Sequence, residues 1–192
     1  MKIYSIDYKP LTKPVMNHDC DDETLFQFSN QFFGKERESY SSLWKPPSRY
    51  HLNDNPVNQT FFNAFAFASF AFYDVLLEDK DLVTLLESFG ELLSIPCSDS
   101  DKTIIQFHCM RCIGNNNEMI LDREAAMYPT STRNKIVFRK DQMPDRGLFW
   151  LSPSKKFLYT VENEELGLEH NFKMLYEARG YTGLDFVEAK LI

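Results

Sequence analysis

The sequence predicts an α+β protein, with mixed and antiparallel sheets and a few amphipathic helices. Short apolar segments bounded by Gly, Pro, Asn and Asp recur along the chain, as is typical of strands joined by turns. Two other segments place apolar residues at helical spacing, and each is followed by a glycine. The apolar fraction of 43% and the aromatic fraction of 15% supply enough apolar surface for a core without disulfides or metal.

The N-terminal third begins with a predicted strand at Ile3–Ile6, which is closed by Pro10. Acidic residues then precede a quasi-helical apolar pattern over residues 25–33. Acids suit a helix N-terminus, where the backbone amides are free and the macrodipole favours negative charge. This pattern therefore predicts a helix that ends at Gly34.

Residues 35–60 form a predicted long irregular connection, rich in Ser, Pro, Asn and Asp. Trp44 and Tyr50 lie within it. Loops of this length tend to be functional, so both aromatic side chains are candidate partner-binding residues if they are exposed. The alternative is that they pack beneath the core.

The middle of the chain predicts a short strand at Val75–Leu77 and then a helix. Asp79 or Asp81 can cap this helix at its N-terminus. Gly90 is expected to end it in a left-handed conformation, before the predicted strand Leu92–Ile95. The buried face follows the spacing i, i+3, i+4 and i+7, and it consists of Leu82, Leu85, Leu86 and Phe89.

Beyond Cys97 the chain is predicted to be rich in strands. These strands are Thr103–His108, Glu118–Leu121, Lys135–Arg139, Leu148–Leu151 and Phe157–Val161. A last helix ends at Gly180 and leads into a final strand, Leu184–Val187. The apolar face of that helix consists of Leu168, Phe172, Leu175 and Tyr176.

Two segments of the chain share one order of elements. Residues 72–95 and residues 157–187 both run from a strand through acids into an amphipathic helix, a glycine and a second strand. This order predicts two related strand–helix–strand lobes, although a chance similarity of common building blocks is an alternative. The predicted division is an N-terminal lobe, 1–96, and a strand-rich C-terminal lobe, 97–192, which can also pack as one globule.

The formal net charge of −7 is concentrated in one segment. Residues 74–101 contain eight acids and one lysine, so the rest of the chain is electrically balanced. Such a segment repels nucleic-acid phosphates and attracts basic partners, so nucleic-acid binding is not expected. The alternative is an ordinary solvated helix face. The candidate partner-binding acids are Asp79, Asp81, Glu87 and Glu91, together with Glu162, Glu164 and Glu165 in front of the last helix.

The strongest local motif for chemistry is the pair Cys109 and Cys112, which follows His108. A structural zinc site needs four ligands, usually from two such pairs, and a redox pair needs a nearby helix N-terminus. The sequence predicts neither, so we expect core cysteines, no metal and no cofactor. No serine elbow or glycine-rich phosphate loop is present either, so the sequence indicates a protein that is not an enzyme.

The N-terminus has no unbroken apolar run and no small-residue cleavage site, so we expect no export signal. The most apolar stretch, residues 61–77, is interrupted by Asn63, Ser69 and Asp74. It falls short of the roughly 20 apolar residues that a membrane helix requires. A cytoplasmic protein that does not enter the membrane is therefore expected.

Residues 81–192 resemble a family of bacterial immunity proteins from polymorphic toxin systems, whose prototype comes from a myxobacterium. The resemblance lies in Leu82–Ile95, in Ile120–Glu124, in Ile136–Arg139 and in Gly147–Leu151. Its strongest part is a helix that contains Phe172 and Tyr176 and runs into the turn Gly180-Tyr181-Thr182-Gly183-Leu184-Asp185-Phe186.

The resemblance implies a protein that binds and blocks the toxin effector domain encoded beside it, with no catalytic residues to transfer. It agrees with the acidic segment, because an acidic inhibitor associates faster with a basic toxin. Two alternatives from other classes remain open at this point. One is a small enzyme that uses acidic groups in a cleft, and the other is a peptide- or scaffold-binding module.

Overall fold

The computed structural model describes residues 1–8, 16–18, 38–46, 50–52, 59–62, 69–96, 103–113, 136–151 and 158–192. These residues confirm the α+β class, with mixed and antiparallel sheets and two α-helices. The helix predicted at 25–33 and the strand predicted at Glu118–Leu121 lie outside the described residues.

Sheet one has five strands in the order β12-β1-β11-β10-β8. All neighbouring pairs are antiparallel except β10 with β8, which is parallel. Its strands are β1 (Lys2–Tyr8), β8 (Cys112–Ile113), β10 (Gly147–Leu151), β11 (Leu158–Glu162) and β12 (Leu184–Glu188).

Sheet two has four antiparallel strands in the order β4-β5-β7-β6. They are β4 (Phe61–Phe62), β5 (Ser69–Tyr73), β6 (Gly90–Pro96) and β7 (Thr103–Cys109). Two short pairs complete the described strands. These are β2 (Met16–His18) with β3 (Tyr50–Leu52), which is antiparallel, and β9 (Val137–Phe138) with β13 (Lys190–Leu191), which is parallel.

The two sheets share one topology. In sheet two, the hairpin β4-β5 is followed by a helix and by β6, and β7 is inserted between β5 and β6. In sheet one, the hairpin β10-β11 is followed by a helix and by β12, and the inserted strand is β1. The predicted repeat of strand, helix and strand is thus present. Each sheet takes a strand from both predicted lobes, so the boundary after residue 96 does not separate the sheets.

Each repeat contains one α-helix, preceded by a 3-10 helix. Helix α1 (Lys80–Glu87) follows the 3-10 helix Asp74–Glu78, and α2 (Phe172–Ala178) follows the 3-10 helix Leu168–His170. Six residues of the predicted helix faces are buried in these helices, namely Leu82, Leu85, Leu86, Phe172, Leu175 and Tyr176. The other two predicted residues, Phe89 and Leu168, are half-buried and lie outside the α-helices. A third 3-10 helix, Lys140–Gln142, lies outside the repeats.

One core joins the inner faces of both sheets to both helices. Phe61 of β4 contacts the rings of Phe172 and Tyr176, and Phe70 of β5 stacks on Phe172 with ring centroids 5.2 Å apart. Because sheet-two aromatics pack directly on the helix of the other repeat, the two repeats are held together by apolar burial.

The outer face of each sheet is covered separately. On sheet one, Phe138 packs against Phe149 and Tyr159 in an aromatic cluster. On sheet two, the described cover includes residues 38–46, whose Tyr40 packs against Leu93. Sheets one and two are therefore each buried on both faces, at least in part.

Two local predictions from the middle of the chain are wrong. Val75–Leu77 lie in a 3-10 helix rather than a strand, since Asp79 donates its backbone N–H to the carbonyl of Leu76. Gly90 does not end α1 in a left-handed conformation but begins β6, paired with Cys109. A Cβ at Gly90 would overlap the backbone carbonyl oxygen of His108, so close strand packing explains the glycine.

Gly180 and Gly183 confirm the predicted turn after the last helix. Gly180 has φ +66°, the left-handed conformation expected at a helix end. Gly183 has φ +104°, and a Cβ there would overlap the carbonyl oxygen of Phe61. The turn therefore lets β4 of sheet two run against the end of α2.

Candidate protein-binding surface

Helices α1 and α2 lie side by side and antiparallel. The start of α1 contacts Arg179, which directly follows α2, and α1 also contacts the 3-10 helix that precedes α2. The two acidic segments predicted from the sequence are therefore neighbours in the fold. We name the exposed side of residues 74–88 and 163–181 the two-helix surface.

The two-helix surface carries most of the net charge of the protein. Its two ranges contain nine acids against three lysines and arginines, a formal net charge of −6 out of −7. The exposed acids are Glu78, Asp81, Glu87, Glu164, Glu165, Glu169 and Glu177. Glu78, Glu169 and Glu177 were not among the predicted candidates, although Glu78 belongs to the acidic segment 74–101.

Asp79 has a structural role that a free partner-binding acid would not have. Its Oδ1 accepts the backbone N–H groups of Asp81 and Leu82 at 3.1 and 3.2 Å, which caps α1 as predicted. Its Oδ2 accepts Arg179 Nε at 3.0 Å and the Tyr181 hydroxyl at 2.6 Å. Burial opposes ionisation of Asp79, but these hydrogen bonds hold its pKa below the ordinary value.

Asp81 is exposed, but it also contacts the neighbouring repeat. Its Oδ2 accepts Arg179 Nη2 at 2.8 Å. The two carboxylates and the guanidinium together fasten the N-terminus of α1 to the C-terminal end of α2. Glu87 is exposed near the other end of α1.

The prediction that Glu162 faces a partner is wrong, because its side chain is only 7% exposed. It accepts the Tyr4 hydroxyl and Lys173 Nζ, both at 3.2 Å, and Lys173 also binds Glu177 at 2.8 Å. Burial acts against the charged ammonium, yet these hydrogen bonds raise the pKa of Lys173. Burial and the nearby Glu162 carboxylate raise the pKa of Tyr4 to about 12. The Glu162 carboxylate is therefore paired with Lys173 inside the fold and is not available to a partner.

Glu91 is also bound within the fold rather than presented to a partner. Its carboxylate accepts the Ser39 hydroxyl at 2.7 Å and the backbone N–H of Tyr40. Glu164 and Glu165 are exposed in the turn before α2, as predicted, and Glu164 lies 3.9 Å from Lys2 Nζ. This surface pair contributes little to stability.

The aromatic candidates do not form part of the two-helix surface as far as the structure describes them. Trp44 is half-buried and donates its indole N–H to the carbonyl of Ser94 at 2.8 Å, so the packed alternative describes it better. The backbone of Tyr50 lies in β3, and its side chain is outside the described residues. An aliphatic residue that the sequence reading missed is Val75, which is 62% exposed between Asp74 and Glu78.

Cys109 and Cys112 lie where the chain passes from β7 of sheet two to β8 of sheet one. Burial raises the pKa of the Cys109 thiol to about 12, so this thiol is not an activated nucleophile. In the described ranges, no group of three or more His, Cys, Asp or Glu side chains is placed to hold a metal ion. Those ranges likewise contain no helix with the length and apolarity needed to cross a membrane.

Comparisons with known proteins identified no relative of this chain. No family model matches the chain, and neither the curated proteins nor the solved structures include a significant match.

Proposed function

We propose that this protein binds a toxin delivered by a competing bacterium and neutralises it by covering the toxin's working surface. The supporting observation is that α1 and α2 place two acidic segments side by side, with a formal net charge of −6. The resemblance of residues 81–192 to polymorphic-toxin immunity proteins supports the same function. In this proposal the protein acts in the cytoplasm, without catalysis and without a cofactor.

The partner that fits the two-helix surface is a basic protein domain. Exposed acids steer a basic partner towards the surface and raise its association rate, whereas affinity comes from a few well-packed anchors. Val75 is a candidate anchor, because it is an exposed aliphatic side chain between Asp74 and Glu78. The buried pair of Glu162 with Lys173 supports this surface from beneath.

The test is co-expression of the protein with its cognate toxin, combined with binding kinetics at low and physiological salt. The variant is the double reversal Glu78→Lys and Glu87→Lys. Both side chains are exposed and neither makes an ion pair within the described residues. Asp81 is left unchanged, because its reversal would place a lysine against Arg179.

The control is Glu38→Lys, which reverses an exposed acid at the start of residues 38–46, on the outer side of sheet two away from the helices. We expect the double reversal to slow association, with a smaller effect at physiological salt, where charges are screened within about 8 Å. The control should associate at the wild-type rate. Equal rates for both variants would place the interface elsewhere, and failure of the wild type to protect cells would refute the immunity function.

A further inference from the structure

The outer face of sheet two contains a buried side-chain amide that has no hydrogen-bond partner among the described residues. Gln106 lies in the middle of β7 and is fully buried, and among the described residues neither its Oε1 nor its Nε2 is within hydrogen-bonding distance of a partner. A glutamine amide offers one acceptor and two donors. Leaving all of them unpaired in the interior lowers stability, so such a group calls for an explanation.

An aromatic stack lies beside this amide. His108 is two residues further along β7 and points to the same face, and its ring stacks on Tyr40 with centroids 3.8 Å apart. Leu93 of β6 lies directly opposite Gln106 and packs against Tyr40. The face therefore combines an unpaired amide with flat aromatic surface.

A comparison of sheet two with sheet one shows that the shared topology does not require an unpaired polar group at this position. The position of sheet one that corresponds to Gln106 is Ser5, which donates its hydroxyl to the carbonyl of Val187 at 3.3 Å. Around Ser5, the outer face of sheet one is filled by the rings of Phe149 and Tyr159. The same topology is thus compatible with an apolar outer face and a satisfied polar group.

Residues 38–46, which we name the covering segment, lie over this face. Ser39 and the backbone of Tyr40 bind the Glu91 carboxylate, and Trp44 binds the carbonyl of Ser94. These contacts join side chains to the edge strand β6, rather than forming a strand ladder with it. The segment can therefore be displaced without breaking the sheet.

The geometry points to a binding site on the outer face of sheet two for an uncharged planar ligand, reached by displacement of the covering segment. The ligand carries an adjacent donor and acceptor, as in a carboxamide or the edge of a heterocyclic lactam, which pairs with both atoms of the Gln106 amide. Its ring takes the place of Tyr40 on the His108 ring, because Tyr40 leaves with the covering segment. The Glu91 carboxylate opposite His108 disfavours a phosphate, so the ligand is not a nucleotide. This site is separate from the two-helix surface.

The experiment measures equilibrium binding of two probes, nicotinamide and uracil, to the full-length protein. The control compound is N,N-diethylnicotinamide, which keeps the ring but has no amide N–H. The variant Gln106→Met replaces the amide by an apolar side chain of similar size. The control variant Thr160→Val removes a buried hydroxyl on sheet one that also lacks a partner among the described residues.

We expect at least one probe to bind the wild type and the control compound not to bind. Gln106→Met should raise the melting temperature, because an unpaired buried amide is removed, and should weaken probe binding by about tenfold or more. Thr160→Val should leave probe binding unchanged. If Gln106→Met does not fold, Tyr40→Leu is measured instead. It removes the ring that competes with the ligand for His108, so it should strengthen probe binding.

Three results would overturn this site. One is the absence of binding by both probes. A second is a folded Gln106→Met or Tyr40→Leu variant that binds the probe with wild-type affinity. The third is a lower melting temperature for Gln106→Met, which would show that the amide stabilises the fold itself.

Discussion

Asp79 is the residue whose replacement tests most directly how the two repeats are joined. Asp79→Ala removes the N-cap of α1, at a cost of about 1 kcal/mol. It also leaves the half-buried Tyr181 hydroxyl without its charged acceptor at 2.6 Å, which costs about 1.5 kcal/mol. Arg179 is 42% exposed, so solvent screening keeps the contribution of its ion pair to stability small. We expect the free energy of unfolding to fall by about 2–3 kcal/mol.

The pH dependence of this effect has a definite sign. Because the folded pKa of Asp79 lies below its ordinary value, ionised Asp79 stabilises the fold above the unfolded pKa, and this stabilisation is lost as the pH falls below about 4. Asp79→Asn keeps a good N-cap but cannot titrate. The difference in stability between the wild type and Asp79→Asn should therefore be present at neutral pH and disappear in acid.

Urea unfolding at neutral and acidic pH measures both quantities. Asp81→Ala, an exposed neighbour in the same helix, is the matched control and should change stability by no more than about 0.5 kcal/mol. A loss below about 0.5 kcal/mol for Asp79→Ala, or a difference for Asp79→Asn that is independent of pH, would refute the reasoning.

Two further predictions concern packing. Phe172→Ala should lower the free energy of unfolding by about 3–5 kcal/mol, because its buried ring packs on Phe61 and Phe70; an unchanged urea midpoint would contradict the assigned core. Gly90→Ala should lower the melting temperature more than Gly180→Ala does, because a Cβ at Gly90 overlaps the backbone of β7 whereas a Cβ at Gly180 meets open space. Gly180→Ala has only the cost of its left-handed backbone, about 1 kcal/mol, and a larger loss at Gly180 would contradict this explanation.

Elements that depend on nearby residues could be predicted from the sequence. The spacing of Leu82, Leu85 and Leu86 is sufficient to identify the buried face of α1, because helix periodicity is a local property. The cap at Asp79 and the left-handed Gly180 follow from equally local chemistry. Acids of α1 and of the turn before α2 were both named as candidate partner-binding residues from the sequence, and their segments are adjacent in the fold.

Features that depend on distant residues could not be predicted. Glu162 reads locally as one of several acids before a helix, and only Lys173 and Tyr4 show why it is buried. The local sequence around Gly90 predicts a helix end. A glycine is required there for a different reason, because a Cβ would overlap the carbonyl oxygen of His108 on the neighbouring strand. The unpaired amide of Gln106 has no signature in sequence, because it requires the positions of all surrounding groups.

The insertion of β1 between β11 and β12 has a consequence for the order of folding. Sheet two is built from residues 61–109 and can pair while the rest of the chain is still being synthesised. The first strand has to wait, because Lys2 pairs with Glu162 and Tyr4 with Glu188. Closing so long a loop is slow. During translation, the N-terminal strand therefore remains unpaired until the last repeat has emerged from the ribosome. In this interval its free backbone groups can pair with another chain, which favours aggregation.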